Sequence, residues 1–469
     1  SVVTLAHLVR YLRFLRDLCG RIGQRSLPVS PFVEQWLREI ADVLDQPPVA
    51  PTDNVRRRAL LDALGSIATA ARHRITAGIG DETVQLRLAD VERFCDAALA
   101  HLEQSLRQSR RPDRLYHSYN RISFPSSTEA AVHHLGEMLE GQVAVLSSGM
   151  LGGSETLEIL DALFESGMYR ADQNSLMLYP VATRPALLDR NTLDAAQVER
   201  LSFVARPIQD RWRPILAMDR DGALHFRSAM LNATALRAAL DETDASPAQR
   251  TIVEEIYEEV FDHQSFTGRS GAMYGYEGIG SIYWHMVAKL ALAVQENHAA
   301  ALARGEPAEV VVDLARAYRR IRDGLGFRKS PEEYGTFPTD CYSHTPAGGG
   351  ARQPGMTGQV KEEILTRRAE IGLYVEAGTV HLAPGLIDPT ELFGATGSEP
   401  VSWSLCEVPI IVTPGDRQSI RTVWADGRVD EVDGTTLPMA TCKEIFARSG
   451  TVTLVDFTID VASGDVQRR

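Results

Sequence analysis

Two stretches of this chain concentrate residues able to bind polar ligands and move protons. The first is SFTGRSGAMYGYEGIGS, residues 265–281. The second is YGTFPTDCYSHTPAGGG, residues 334–350, followed by ARQPGMTG, residues 351–358. Each is rich in glycine and aromatics and leads into a predicted helix. Glycine lets backbone approach a ligand, and a helix N-terminus presents unpaired N–H groups to anions. Arg269, Ser270, His344, Thr345, Arg352, Thr357 and Gly358 are therefore candidate anion ligands, although Thr357 also suits an ordinary N-cap and Lys361 reads as a surface residue. Tyr274, Tyr276, Tyr334 and Tyr342, with Tyr116 and Tyr119 further up the chain, offer an apolar face with a polar edge. Trp284 and His285 fall inside a helix and read as structural.

Four carboxylates have surroundings suited to proton transfer: Glu277 and Asp340 in these loops, Asp172 in YRADQN (residues 169–174, with Asn174) and Glu140 in LEGQ. Each has a plainer reading. Asp172 pairs with Arg170, Glu277 is an acidic first-turn residue favoured by the helix dipole, Asp340 caps, and Glu140 is a polar helix residue. Cys341 and His344 form a Cys-x-x-His pair. A zinc site needs three or four ligands, and His117, His133, His134 and His263 could join them only through folding, so no metal is expected.

The 469 residues suffice for one large domain or two to three ordinary ones. With 49 basic against 62 acidic residues the net charge is −13, which disfavours sequence-independent binding to nucleic acid or anionic membranes. No apolar run is long enough to span a bilayer, and no secretory signal is present. The five cysteines are scattered, which points to a reducing cytoplasm and not to a disulfide framework. The chain begins at Ser1 within an amphipathic pattern, as a processed chain or a piece of a longer polypeptide would.

Apolar periodicity predicts helices over 2–22, 30–44, 52–77 and 88–109 with no strand between them. A helix capped by Ser127 is expected to run through Glu129 and Glu137 toward Leu146, and another from Gly152 to Ser166. A β-hairpin over 215–226 is followed by helices at 232–241, 247–263, 282–300, 307–325 and 357–371. From Leu373 the pattern changes to short β runs at 373–375, 379–382, 401–405, 409–413, 419–424 and 451–455, with a short helix within 438–447. About twelve helices and then strands predict a mainly α chain: an (α/α)6 toroid over 1–371, whose loops converge on a cavity, and a small C-terminal β-sandwich over 372–469.

This layout, with GMTGQVKEEIL (residues 355–365) and IGLYVEAGTVHLAP (residues 371–384), resembles the inverting glycoside phosphorylases and hydrolases of the cellobiose and maltose phosphorylase type. The Gly-Asp-Trp-Asn-Asp segment that carries the acid in cellobiose phosphorylases is absent, as is that group's N-terminal β-sandwich, so the chain resembles a divergent branch. The resemblance implies cleavage of a glycosidic bond in an oligosaccharide or glucan. The acid would come from Asp172, Glu277, Asp340 or Glu140, sugar contacts from Asn174 and the six tyrosines, and a phosphate site from the seven anion candidates. It implies no cofactor other than inorganic phosphate as co-substrate. The remaining expected partners are an N-terminal portion of the same polypeptide and further copies of the chain. A non-catalytic carbohydrate-binding or scaffolding module, and a metal-dependent toroid, are the competing readings.

Overall fold

The computed structural model describes residues 1–23, 25–180, 187–204, 208–262, 282–327, 344–345, 357–387 and 389–460. Its first helices match their sequence signals closely. Helix α1 (Val2–Ile22) is capped by the Ser1 hydroxyl, α2 (Pro31–Leu44) by Ser30 with Pro31 at its first position, and α3 (Asn54–Ala77) by the Asp53 carboxylate. Helix α4 (Leu88–Gln108) buries Cys95, Ala98, Leu99 and Leu106 against α1.

Two expectations fail in this part. Strands β1 (Ser26–Val29) and β2 (Val84–Arg87) pair antiparallel where no strand is predicted. They are four residues each and mostly exposed, so no alternation marks them, and Pro28 is tolerated because a two-stranded ribbon has only edges. The helix predicted from Ser127 is instead strand β4 (Ala131–His134), paired with β3 (Asn120–Ser123), followed by the shorter helix α5 (Leu139–Leu146). Gly136 and the β-branched Val132 weaken a continuous helix there.

Helix α6 (Gly153–Glu165) leads to a tight hairpin, β5 (Tyr169–Arg170) and β6 (Ser175–Leu176). Further on, α11 (Trp284–Arg304) and α12 (Ala308–Arg322) turn back on each other at Gly305, and α13 (Thr357–Ile371) packs on α11. Helix directions follow from which residues meet. His7 feels the charge of Glu140 and Arg10 bonds Ser147 O, so α1 runs parallel to α5. Asn297 Nδ2 donates to Leu146 O near the far end of both helices, so α5 and α11 are parallel as well. His285 meets Glu362 while Ala291 and Thr366 share a cavity wall, so α13 runs the same way. Helices α4 and α12 run oppositely: Arg13 pairs with Glu103, Arg16 with Asp96, and Ala301 packs with Val311 and Leu314. Helices α1, α5, α11 and α13 thus run one way, with their N-termini at one end of the helical body, and α4 and α12 run the other.

Between Leu193 and Phe261 the described residues carry a core separate from that of the body. Helices α7 (Leu187–Arg190), α8 (Ala195–Arg200), α9 (Ala233–Asp241) and α10 (Pro247–Phe261) surround the expected hairpin β7 (Leu216–Met218) and β8 (Leu224–Phe226). Trp212, Leu224, Phe226, Leu236, Val253 and Tyr257 belong to a cluster distinct from that of the body. Asn191 pairs with both backbone groups of Phe226, and the Tyr257 hydroxyl donates to Met230 O.

The C-terminal region is a five-stranded sheet in the order β13-β14-β17-β15-β16 with the hairpin β11–β12 packed on it. These strands are β11 (Leu373–Glu376), β12 (Thr379–Leu382), β13 (Val401–Leu405), β14 (Val408–Gly415), β15 (Ser419–Trp424), β16 (Val429–Asp433) and β17 (Val452–Asp460). Strand β16, Val-Asp-Glu-Val-Asp, lacks the apolar run that marks the others. The β14–β17 pair is parallel, and α15 (Met439–Phe446) lies in the crossover between them. A short helix, α14 (Pro389–Leu392), precedes the sheet. The protein is therefore mainly α with a C-terminal sheet region.

Candidate functional site

The polar end of the helical body is built from backbone contacts outward. Leu139 N donates to Leu178 O, so the chain leaving hairpin β5–β6 passes the start of α5. Gly141 N donates to Ser118 Oγ at 3.0 Å, and a Cβ on Gly141 would stand 2.8 Å from Ser118 Cα. Only glycine admits that approach. It sets Tyr119 beside the first turn of α5, where the Tyr119 hydroxyl donates to Glu140 Oε2 at 2.8 Å. Burial and this carboxylate together push the Tyr119 phenol well above its ordinary range. Burial, Arg10 and Lys289 lower the His7 imidazole and Glu140 opposes them, which sets Glu140 near His7 of α1. Tyr116 is instead buried: its backbone N–H donates to Gln142 Oε1, a structural role.

The hairpin places Asp172 and Asn174 at the same end. Gly324, just past α12, comes so near that a Cβ there would lie 2.3 Å from Asn174 O. Asn174 is left-handed and accepts from the Tyr169 hydroxyl at 3.1 Å. The Asp172 carboxylate receives both Nε and NH2 of the buried Arg170, at 2.9 and 2.6 Å. This pairing lowers its pKa, so Asp172 stays ionised at neutral pH and is a poor proton donor.

At the start of α11, β9 (Ile282–Tyr283) pairs antiparallel with β10 (His344–Thr345), Tyr283 opposite His344 and Ile282 opposite Thr345. The anion candidates His344 and Thr345 thus lie beside the first turn of α11, and Thr357 and Gly358 open the neighbouring α13. Glu277, Asp340, Tyr274, Tyr276, Tyr334, Tyr342, Arg269, Ser270 and Arg352 lie outside the described residues.

A pair stands at this junction, formed by His285, which the sequence reading assigns to a structural role, and Glu362, which it does not single out. His285 Nε2 lies 3.3 Å from Glu362 Oε1, and the Tyr283 hydroxyl 3.4 Å from His285 Nδ1. Glu362 is only 5% exposed, and its Oε2 has no hydrogen-bond partner among the described residues. Its position within KEEIL gave no signal beyond that of a charged helix residue. About two turns deeper, Tyr318 donates to Glu370 at 2.6 Å. Arg322 Nε lies 2.9 Å from the same carboxylate, off the direction of its N–H, and Arg322 also bonds Glu391. This buried cluster ties α12, α13 and α14.

Among the described residues no group of three or more His, Cys, Asp or Glu is placed to hold a metal ion, and no helix is long and apolar enough to cross a membrane. Residues 184–264, the segment with its own core, match the GH149 phosphorylase insertion domain 2. This supports a glycoside phosphorylase family without selecting the cellobiose or maltose phosphorylase branch. No curated protein matches the chain.

Proposed function

We propose that this chain forms the catalytic part of an inverting glycoside phosphorylase acting on an oligosaccharide or glucan. One observation carries the reading: the segment that matches a phosphorylase insertion domain also contains a separate core, formed by residues between Leu193 and Phe261. The two opposed sets of helices support the further reading of residues 1–371 as an (α/α)6 barrel and 372–469 as its β domain. The absence of a membrane-crossing helix among the described residues and the scattered cysteines are compatible with a cytoplasmic enzyme.

In this mechanism an oxygen of inorganic phosphate attacks the anomeric carbon from the face opposite the glycosidic oxygen. The bond from that carbon to the glycosidic oxygen breaks as a carboxylic acid gives its proton to the leaving oxygen. Phosphate is already an anion and needs no base. His344, Thr345, Thr357 and Gly358, with Arg269, Ser270 and Arg352, are assigned to phosphate. The ionised Asp172 suits a sugar hydroxyl better than proton donation, and Glu140 is occupied by Tyr119. The acid is therefore assigned to Glu277 or Asp340, with Tyr119, Asn174 and the loop tyrosines contacting sugar.

The test is a panel of α- and β-linked oligosaccharides incubated with inorganic phosphate, with the anomer of the product read by NMR. A sugar 1-phosphate of anomeric configuration opposite to the cleaved bond supports the reading. Retention, or turnover to free sugar only, overturns it, and binding without turnover would favour the non-catalytic module.

A further inference from the structure

Resting on that reading, we infer that Glu362 and His285 are positioning residues that hold the two halves of the phosphate side together. The candidate phosphate ligands lie on two separate pieces of chain. His344 and Thr345 are paired to β9, which runs directly into α11. Thr357 and Gly358 open α13. The contact between His285, in the first turn of α11, and Glu362, five residues into α13, is a side-chain link between these two helix starts. Five residues of helix rise about 7.5 Å, so the link sits within two turns of the α13 N-terminus.

The chemistry of the pair suits positioning. Glu362 is buried, and among the described residues one of its oxygens has no donor, a costly arrangement for a residue whose only task is to fill space. Its other oxygen, an acceptor, faces His285 Nε2, and His285 Nδ1 stands beside the Tyr283 hydroxyl. Tyr283 is the residue of β9 opposite His344. Glu362, His285 and Tyr283 thus connect α13 to β9, the strand paired with the one that carries His344. A separate link, from Tyr318 and Arg322 of α12 to Glu370 about two turns further along α13, still ties α13 to the bundle when the first is lost. Loss of the Glu362 link should therefore loosen the geometry at the phosphate side while the fold survives.

The experiment measures inorganic phosphate binding by calorimetry, phosphorolysis kinetics and melting temperature for the whole chain and for Glu362→Gln, Glu362→Asp and His285→Gln. The expected result is at least a tenfold weaker phosphate Kd and higher phosphate KM in Glu362→Gln and His285→Gln. The oligosaccharide KM should stay within about threefold, and Glu362→Asp should recover most of the loss. Unchanged phosphate affinity in folded Glu362→Gln or His285→Gln overturns the inference even if the wild type is a phosphorylase. Equal loss of phosphate and sugar affinity, tracking a fall in melting temperature, also overturns it, because that marks a merely structural pair. Weakened phosphate binding in the variants of a wild type that cleaves no glycoside supports the inference and refutes the functional reading. A wild type that binds no phosphate refutes both. If Glu362→Gln does not fold, His285→Gln decides.

Discussion

At the scale of single residues, environment separates the carboxylates that sequence alone leaves equivalent. Asp172 is clamped by Arg170 and held ionised, and Glu140 accepts from Tyr119. Replacing Glu277 by Gln or Asp340 by Asn should lower kcat at least a hundredfold for whichever is the acid. Asp172→Asn should instead raise the oligosaccharide KM with a loss in kcat of about tenfold or less, checked by steady-state kinetics. Tyr119→Phe removes one hydrogen bond to a charged group, worth about 1.5–3 kcal/mol. A drop of roughly ten- to a hundredfold in kcat/KM is expected, and an unchanged value would take Tyr119 out of the site. The plain reading of Asp172 as a partner of Arg170 was available from two residues of spacing. The roles of His285 and Glu362 were not: their meeting joins positions 77 residues apart, and a charged residue within a helix usually faces water.

At the scale of elements, close approaches position the site. Gly141→Ala would drive a methyl into Ser118, and Gly324→Ala one into Asn174 O. Overpacking of this kind costs about 1–3 kcal/mol. Each variant should melt several degrees lower by calorimetry, and Gly141→Ala should also lose activity because it displaces Tyr119 from Glu140. Hairpin β3–β4 holds a pH-sensitive contact. His117 stacks on His134 with ring centroids 3.9 Å apart, and burial, His134 and Arg111 lower the His117 pKa from 6.5 to about 4, while Asp113 and the Leu135 backbone oppose the shift. Unfolding raises that pKa again, so this contribution is complete above about pH 6.5 and is lost as pH falls toward 4. The melting temperature should fall across that window, and less steeply in His117→Phe. The long helices were legible because their caps and stripes are local: Ser30-Pro31 and Asp53 mark starts that the structure keeps. Strands β1, β2 and β4 were not, because four-residue exposed pairings depend on partners distant in sequence.

At the scale of the whole molecule, the change from helices to strands near Leu373 was plain in the sequence, since hydrophobic period and turn chemistry both change there. The parallel β14–β17 pair was hidden, because strand order is set by a crossover and not by any one strand's composition. The insertion was hidden too: its helices and hairpin read like those of the body, and only the separation of the two cores sets it apart. Because Trp212, Phe226, Leu236 and Tyr257 pack with one another, and Arg190 bonds Val260 O near the segment's ends, residues 184–264 should fold when excised. A cooperative thermal transition by circular dichroism is the expected result. The most direct test of the account is phosphate dependence. The chain is incubated with an oligosaccharide that it consumes, with and without inorganic phosphate, and the products are read by mass spectrometry. The account predicts sugar 1-phosphate, formed only when phosphate is present. Free sugar released at the same rate in both conditions would contradict it.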